Sequence, residues 1–442
     1  MAVVKKILIV GSGAREHAIA RALQRSPQNP DLVGLGTNVN PGLMQLCRVF
    51  EVGKITDAET VVNFARENAV NLAIIGPEAP LESGVADALW QAGIPTVGPR
   101  QKLAQIETSK AFARELLTKR NIPACPGYEI FQSMNGVAAY LAELGDDYVV
   151  KADGLTGGKG VKVAGEHLLS HDEALAYAED LLATAGQFVI EEKLVGEEFS
   201  LMSFSDGETL RHMPPVQDHK RAYEGDTGPN TGGMGSYSDA NGTLPFLTET
   251  DIRQAQQFNE HTAAALKEEF RQPYQGILYG GFMVTSQGVK LIEYNARFGD
   301  PEAMNVLALL ETDFVSICQA IADRNLAQLE VTFSPLATVC KYAVPRGYPV
   351  KPVKGQIIDV KTVDQQDQLY FASVEAEGKI LKEAGSRTVA AVGMAADLAA
   401  AEQQAEAMIS AIQGPLFHRR DIGTQELVQK RIDHMRILRG NE

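Results

Sequence analysis

The stretch VVKADGLTGGKG, Val149–Gly160, decides how this chain folds. Its run G-x-x-G-G-K-G lacks the spacing Gly-x4-Gly-Lys-Ser/Thr of a Walker loop. The residues after it, VKVA, read as a strand, whereas a Walker loop opens a helix. The stretch is therefore a glycine hairpin between two strands, with Lys151 on the first strand and Lys159 at the tip. A plain hairpin needs two or three turn residues. Here Gly154–Gly160 supplies seven, four of them glycine. Flexible N–H groups and two ammonium groups suit the covering of a polyphosphate from above. The bland alternative is a hairpin with solvated lysines.

Upstream, the first hundred residues alternate strand and helix. KKILIVGSG reads as a buried strand, AREHAIARALQRS as a helix, and DLVGLG as a strand. AETVVNFARENA, NLAIIGPE, LESGVADALWQAG and IPTVGP continue the alternation. This order predicts a parallel sheet flanked by helices, with ligands at the carboxyl ends of the strands, where GSGAREH and GPEAPL lie. A helix from about Ser109 to Arg120 then leads through Pro123 and Pro126 into a small region of short strands. Downstream lie longer strands, helices at about Glu249–Phe270 and Glu302–Asp323, and a last hundred residues mostly of short strands with a helix near Leu398–Ile412. The pattern predicts an α/β chain in three parts. These are a Rossmann-like domain over 1–105, a central domain over 106–333 with a lid at about 123–193, and a mostly β domain over 334–442.

The chain has 442 residues, too many for one core. An apolar fraction of 45% and a charged fraction of 22% exclude a disordered chain. The net charge of −15 disfavours sequence-independent binding to nucleic acid, which needs a broad basic face. Cys47, Cys125, Cys318 and Cys340 show no metal-ligand spacing, and they read as reduced thiols. No stretch approaches the ~20 apolar residues that span a bilayer. The expectation is a cytoplasmic protein that engages no membrane.

Four further stretches carry chemistry. GSGAREH, Gly11–His17, satisfies G-x-G but places Glu16 where a dinucleotide fingerprint wants Gly or Ala. A phosphate at the helix N-terminus and a plain turn both remain open. VIEEKLVGEEFS, Val189–Ser200, runs a strand into Glu191 and Glu192, then a link, then Glu197 and Glu198. Such a link can read an adenine edge and such carboxylates can hold ribose hydroxyls; solvated acidic pairs are the alternative. In LIEYNARFGDPE, Leu291–Glu302, Glu293 and Asn295 share one face of a strand, and Arg297 follows. Two adjacent oxygen ligands suit Mg²⁺, which completes its octahedron with phosphate oxygens and water. DHKRAYEGDTGPNTGGMGSYS, Asp218–Ser238, is either a linker or a loop that closes over something charged.

Taken together and in order, IGPEAPL, SKAF, VVKADGLTGGKGV, IEEKLVGEEFSL, QDHKRAYEGDTGPNTGGMGSYS and IEYNARFGDPE resemble the glycinamide ribonucleotide synthetases (phosphoribosylamine–glycine ligases) of the ATP-grasp superfamily. The likeness runs from GSGAREHA to RRDIG at Arg419–Gly423. It implies a pre-ATP-grasp N-terminal domain, an ATP-grasp core with its lid, and an ordered Asp218–Ser238 loop that faces the active site. It also implies the reaction of purine biosynthesis in which ATP, glycine and 5-phosphoribosylamine give glycinamide ribonucleotide, ADP and phosphate through glycyl phosphate, with Mg²⁺ or Mn²⁺. On this resemblance the ATP contacts are Lys110, Lys151, Gly157, Gly158, Lys159, Gly160, Glu191, Glu192, Lys193, Leu194 and Glu198. The metal ligands are Glu293 and Asn295, and the catalytic groups Arg297, Lys220 and Asp218. The substrate contacts are Gly11, Ser12, Gly13, Arg15, Glu16, Glu78, Asp218, Lys220, Arg221, Asp226, Asn230, Gly299 and Asp300, with His219 beside them. A transient contact with the enzyme that makes phosphoribosylamine stays open. Two rivals are another ATP-grasp carboxylate–amine ligase and a non-catalytic nucleotide-binding regulator. The chain departs from the family pattern at Gly34–Cys47 and at Ala296, where Cys is common.

Overall fold

A computed structural model describes residues 5–157 and 160–440. Gly158 and Lys159 of the glycine hairpin lie outside the described residues. The N-terminal sheet is all parallel, in the order Val49–Val52, Asp31–Gly36, Lys6–Val10, Leu72–Ile75, Thr96–Val97. Its central strands read KILIV and LAII because helices cover both faces, and Ile7 to Val10 are fully buried. The chain reverses order beside Lys6–Val10, so the turns after Val10 and Ile75 open at one crevice. Close approach dictates a glycine at that point. A Cβ on Gly76 would lie 2.0 Å from Glu16 Oε1.

Two local expectations need correction, and one segment left unread in the sequence takes shape. The Gly34–Cys47 segment contains a helix, Pro41–Leu46, whose N-cap Asn40 accepts from the N–H groups of Gly42 and Leu43. LESGVADALWQAG is two helices, Glu78–Glu82 and Val85–Gln91, parted by Gly84 at φ 77°. The stretch Glu302–Asp323 breaks after Leu309 and restarts at Phe314, where Asp313 caps the second helix. In the two broken helices a left-handed glycine or a side-chain cap outcompetes helix continuation.

The lid is a four-stranded antiparallel sheet in the order Tyr128–Phe131, Phe188–Glu192, Tyr148–Ala152, Val161–Val163. Helices Val137–Leu144 and His171–Ala185 back it, and Phe131, Leu141, Val150, Phe188 and Ile190 form a hydrophobic cluster of its own. A lid with its own core can move as a body. The central sheet joins Leu210–His212, Glu197–Asp206, Gln275–Thr285 and Gly288–Asn295, and the helix Glu249–Phe270 packs on it.

The C-terminal sheet runs Gln217–Asp218, Gly235–Ser238, Ala337–Pro345, Val389–Ala395, Leu369–Phe371, all antiparallel. Both ends of the Asp218–Ser238 stretch are therefore strands of that sheet, and between them Arg221–Tyr223 pairs with Thr227–Asn230. The stretch is an ordered loop and not a linker. Helices Leu398–Ala411 and Gln425–Leu438 complete the chain, the second unforeseen in the sequence.

Candidate active site

The glycine hairpin is moored at its base. Asp153 accepts from Ser109 Oγ at 3.0 Å, from the Ala111 N–H at 3.1 Å and from Gln187 Nε2 at 2.5 Å. Ser109 also caps the helix Lys110–Lys119, accepting from the Phe112 N–H. Lys110 Nζ reaches the Gly154 carbonyl at 3.3 Å. One serine thus starts a helix and fixes a loop 44 residues away.

Lys151 leads from the hairpin to a buried ion cluster. Glu191 takes Arg114 in a two-pronged contact at 2.7 and 3.0 Å and Lys151 at 2.6 Å. Arg114 and Lys151 both also donate to the Ile292 carbonyl. Burial works against the Glu191 charge, but the two cations outweigh it and hold the carboxyl down at about 2. The Glu191 oxygens thus face these two cations, and Glu191 orients Lys151. Glu192 accepts from the Gly127 N–H at 2.9 Å, and Lys193 Nζ donates to the Ala164 carbonyl at 3.2 Å. These two bind the link Lys193–Gly196, with Leu194 in it, to the lid.

Beside Lys151, which donates to the Ile292 carbonyl, lies a cleft lined by Glu198, Phe199, Asp218, Lys220, Tyr279, Gly281, Ile292 and Glu293. Lys220 Nζ meets Glu198 at 2.7 Å. Enclosure raises the Asp218 carboxyl to about 7; Lys220 opposes this, and Glu302, Glu198 and Glu293 reinforce it. Lys220 is pushed above the usual ammonium range, its desolvation outweighed by Glu198, Asp218 and Glu293. Glu293 is held below the ordinary range because Lys220, Lys110 and Lys151 together overcome its burial. Its carboxylate accepts no hydrogen bond among the described residues. Asn295, two residues on, shares its face and accepts from Arg297 Nη2 at 3.1 Å. No group of three His, Cys, Asp or Glu side chains among the described residues could hold a metal. Glu293 and Asn295 are thus a two-oxygen set, which suits a hard cation that arrives with phosphates.

The N-terminal crevice meets this cleft through Arg297, which faces Glu107 at 2.9 Å and Glu78 at 3.3 Å. Gly11–Gly13 form the turn above it, with Ser12 Oγ donating to Asn38 Oδ1 at 2.8 Å. Glu16 turns inward. It accepts from the Gly13 N–H at 2.6 Å and from Arg15 at 2.7 Å, so it caps its own helix instead of facing outward. Arg15 also donates to the Phe298 carbonyl at 3.2 Å. Asp300 accepts from Tyr342 at 2.7 Å and pairs with Arg387 at 3.1 Å. A Cβ on Gly13 would come within 3.9 Å of Asp300, and one on Gly299 would collide with Glu302 at 2.3 Å.

Only Asp218 and Lys220 of the loop line the cleft. Arg221 pairs with Glu166 of the lid. Asn230 stands exposed on the hairpin. Asp226 is held by Arg419 at 2.9 Å and by Arg431. His219 is buried, with both ring nitrogens unpartnered among the described residues, and burial takes its pKa down to about 3. Sequence reasoning missed Arg114, Glu107, Arg387, Arg419 and Arg431. Only Arg114 had a signal, its four-residue spacing from Lys110 on one helix face.

A four-stranded antiparallel lid with its own core, joined to a central antiparallel sheet that carries Glu293 and Asn295, has the architecture of an ATP-grasp ligase. The match to the phosphoribosylglycinamide synthetase family models covers the N domain over residues 5–107, the ATP-grasp (A) domain over 108–303 and the C domain over 338–425. The chain belongs to the phosphoribosylglycinamide synthetase family. It is 52% identical to phosphoribosylamine–glycine ligase of Methanosarcina acetivorans over 435 residues, 98% of each chain. It is 51% identical to that of Methanosarcina barkeri, over 98% of this chain and 100% of the relative. The crystal structure of phosphoribosylamine–glycine ligase from Thermotoga maritima superposes with a TM-score of 0.80 at 26% identity, over 94% of this chain and 100% of that one. The biotin carboxylase domain of Hydrogenobacter thermophilus 2-oxoglutarate carboxylase, at a TM-score of 0.68 and 15% identity, shares the fold.

Proposed function

We propose that this enzyme joins glycine to 5-phosphoribosylamine at the expense of ATP, giving glycinamide ribonucleotide, ADP and phosphate. The observation that carries the reading is the cleft in which Glu198, Asp218, Lys220 and Glu293 converge. A carboxylate acylates poorly because its oxide does not leave. A glycine carboxylate oxygen therefore attacks the γ-phosphorus, and ADP departs. The amine nitrogen then attacks the glycyl carbonyl, inorganic phosphate leaves with the C–O bonding pair, and the amine proton passes to Asp218. Such chemistry needs positioning and charge stabilisation and no protein nucleophile.

Lys110 and Lys151 hold the ATP phosphates, with Lys159 and the hairpin glycines Gly157, Gly158 and Gly160 closing from the lid. The Lys193–Gly196 link reads the base, and Glu198 takes ribose hydroxyls. Glu293 and Asn295 would hold Mg²⁺ or Mn²⁺, which would supply positive charge to offset that of the ATP phosphates. Lys220 and Arg297 compensate the charge on the transferring phosphoryl group. Gly11–Gly13, Arg15, Glu78 and Asp300 receive phosphoribosylamine. The domains act as 1–105 for that substrate, 106–333 for ATP with a lid at 123–193, and 334–442 to close the site. No described helix is long and apolar enough to cross a membrane, and the proposed role in purine synthesis supports a cytoplasmic location.

Release of ADP with a panel of amino acids, phosphoribosylamine present, tests the reading. Glycine turns over and alanine is rejected, because a packed pocket absorbs an added methyl at a cost of about 1–3 kcal/mol. Equal kcat/KM for the two would point to a different carboxylate–amine ligase. ATP binding with no turnover on any acid would point to a regulator.

A further inference from the structure

We propose that the C-terminal helix Gln425–Leu438 positions the active site, with Arg431 as a clasp between the lid hinge and the substrate loop; this rests on the reaction proposed above. One guanidinium meets two carboxylates from parts of the chain with different duties. Arg431 Nε faces Glu197 Oε2 at 3.3 Å, and Nη2 pairs with Asp226. Glu197 opens the core strand that follows the Lys193–Gly196 link, so it sits where the lid joins the central sheet. Asp226 lies at the tip of the hairpin Arg221–Tyr223/Thr227–Asn230, whose base carries Asp218 and Lys220.

Successive strand residues face opposite ways. Glu197 turns to the helix, while Glu198 turns to the cleft and holds Lys220 at 2.7 Å. Holding Glu197 therefore fixes the backbone that presents Glu198. His434, three residues on from Arg431 and on the same helix face, meets the other Glu197 oxygen at 2.5 Å. Arg419 takes the second oxygen of Asp226 at 2.9 Å, and its own side chain is 1% exposed. The helix has anchors that do not involve Arg431: Leu427, Val428 and Met435 are buried, and Arg439 pairs with Asp251 at 2.6 Å. It therefore stays docked when Arg431 is replaced. The family match to the C domain ends at residue 425, where this helix begins.

The test combines Arg431→Met, Arg431→Lys, Asp226→Asn and the double variant Arg431→Met/Asp226→Asn. Titration with MgADP reads the hinge, steady-state KM for glycine reads the loop, and a thermal melt reads stability. In Arg431→Met both affinities fall together, on the order of tenfold, as expected for a coupling carried by one shared group. Arg431→Lys recovers part of each. The double variant loses less than the sum of the two single variants, because both changes break the same Arg431–Asp226 contact. Melting temperatures stay close to the parent's. A lower melting temperature with both affinities unchanged overturns the proposal, and so do fully additive effects of the two substitutions. If the parent turns over no glycine, the proposed reaction fails, while the MgADP titration still tests the clasp at the hinge.

Discussion

Glu293 and Asn295 carry one negative charge between them, too little to hold a bare divalent ion without phosphates. Glu293→Gln keeps the shape and removes that charge, so its cost falls on the chemical step. We expect kcat to drop by on the order of a hundredfold or more, with little change in melting temperature. Steady-state ADP production across a Mg²⁺ titration, with a melt alongside, checks this, and near-normal kcat at low Mg²⁺ would remove Glu293 from the metal site. Asp218 behaves differently, because its carboxyl is raised to about 7. It must be ionised to take the amine proton, so kcat/KM should climb with pH through that value and fall on the acid side. The raised pKa also means that the folded state disfavours its charge above neutrality. Asp218→Asn should therefore lose activity and the acid limb while melting no lower than the parent at pH 8. A pH–rate profile with its acid limb intact in Asp218→Asn would assign that proton elsewhere.

At the scale of elements, the glycine hairpin is tied down at its base, where Asp153 bridges Ser109, Ala111 and Gln187 and Lys110 donates to the Gly154 carbonyl. Gly154 and Gly157 sit at φ 112° and 58°, with nothing near where a Cβ would stand. Bound ATP should slow amide exchange from Gly154 to Gly157, and Asp153→Ala should weaken that protection and raise the KM for ATP. Equal exchange with and without nucleotide would deny the lid its role. The N-terminal turn answers to a different substrate. Arg15 lies between Glu16 and the Phe298 carbonyl, away from the lid. Arg15→Ala should raise the KM for phosphoribosylamine and leave that for ATP nearly unchanged. The reverse pattern would put the nucleotide in the N-terminal crevice.

Across the whole molecule, two buried histidines tie stability to pH. His17, whose ring lies stacked 5.9 Å from Phe371, is lowered well below its ordinary value by burial, with Arg21 adding to it. His219 is lowered to about 3. Both stay neutral in the fold and take a proton near 6.5 once unfolded. Their contribution is complete above that value and shrinks as pH falls below it, by ~1.4 kcal/mol per pH unit for each. Asp218 has the opposite sign and gains as pH falls from its folded value, but it lies partly open to solvent and offsets less. The melting temperature should fall between pH 7 and 5, and His17→Gln should flatten that slope. An unchanged slope in the variant would exclude His17 as a source.

Local pattern on its own determined a good deal. The continuous apolar runs placed the parallel sheet, and the strand after Lys159 ruled out a Walker loop. The period of two put Glu293 and Asn295 on one face, and the ordered series of motifs pointed to the family. These are short-range facts, set by backbone geometry within a few residues. Helix breaks at Gly84 and Asp313 were also written locally, but in capping groups that compete with a good helical pattern. Only the tertiary structure decided which charges are spent on each other. Glu191 faces Arg114 and Lys151, Asp226 faces Arg419 and Arg431, and the ends of the Asp218–Ser238 loop become strands of the C-terminal sheet. Arg431 and Asp226 stand 205 residues apart. A carboxylate has the same local signature whether it faces water, a substrate or an arginine, and its partner is fixed by how separate elements pack.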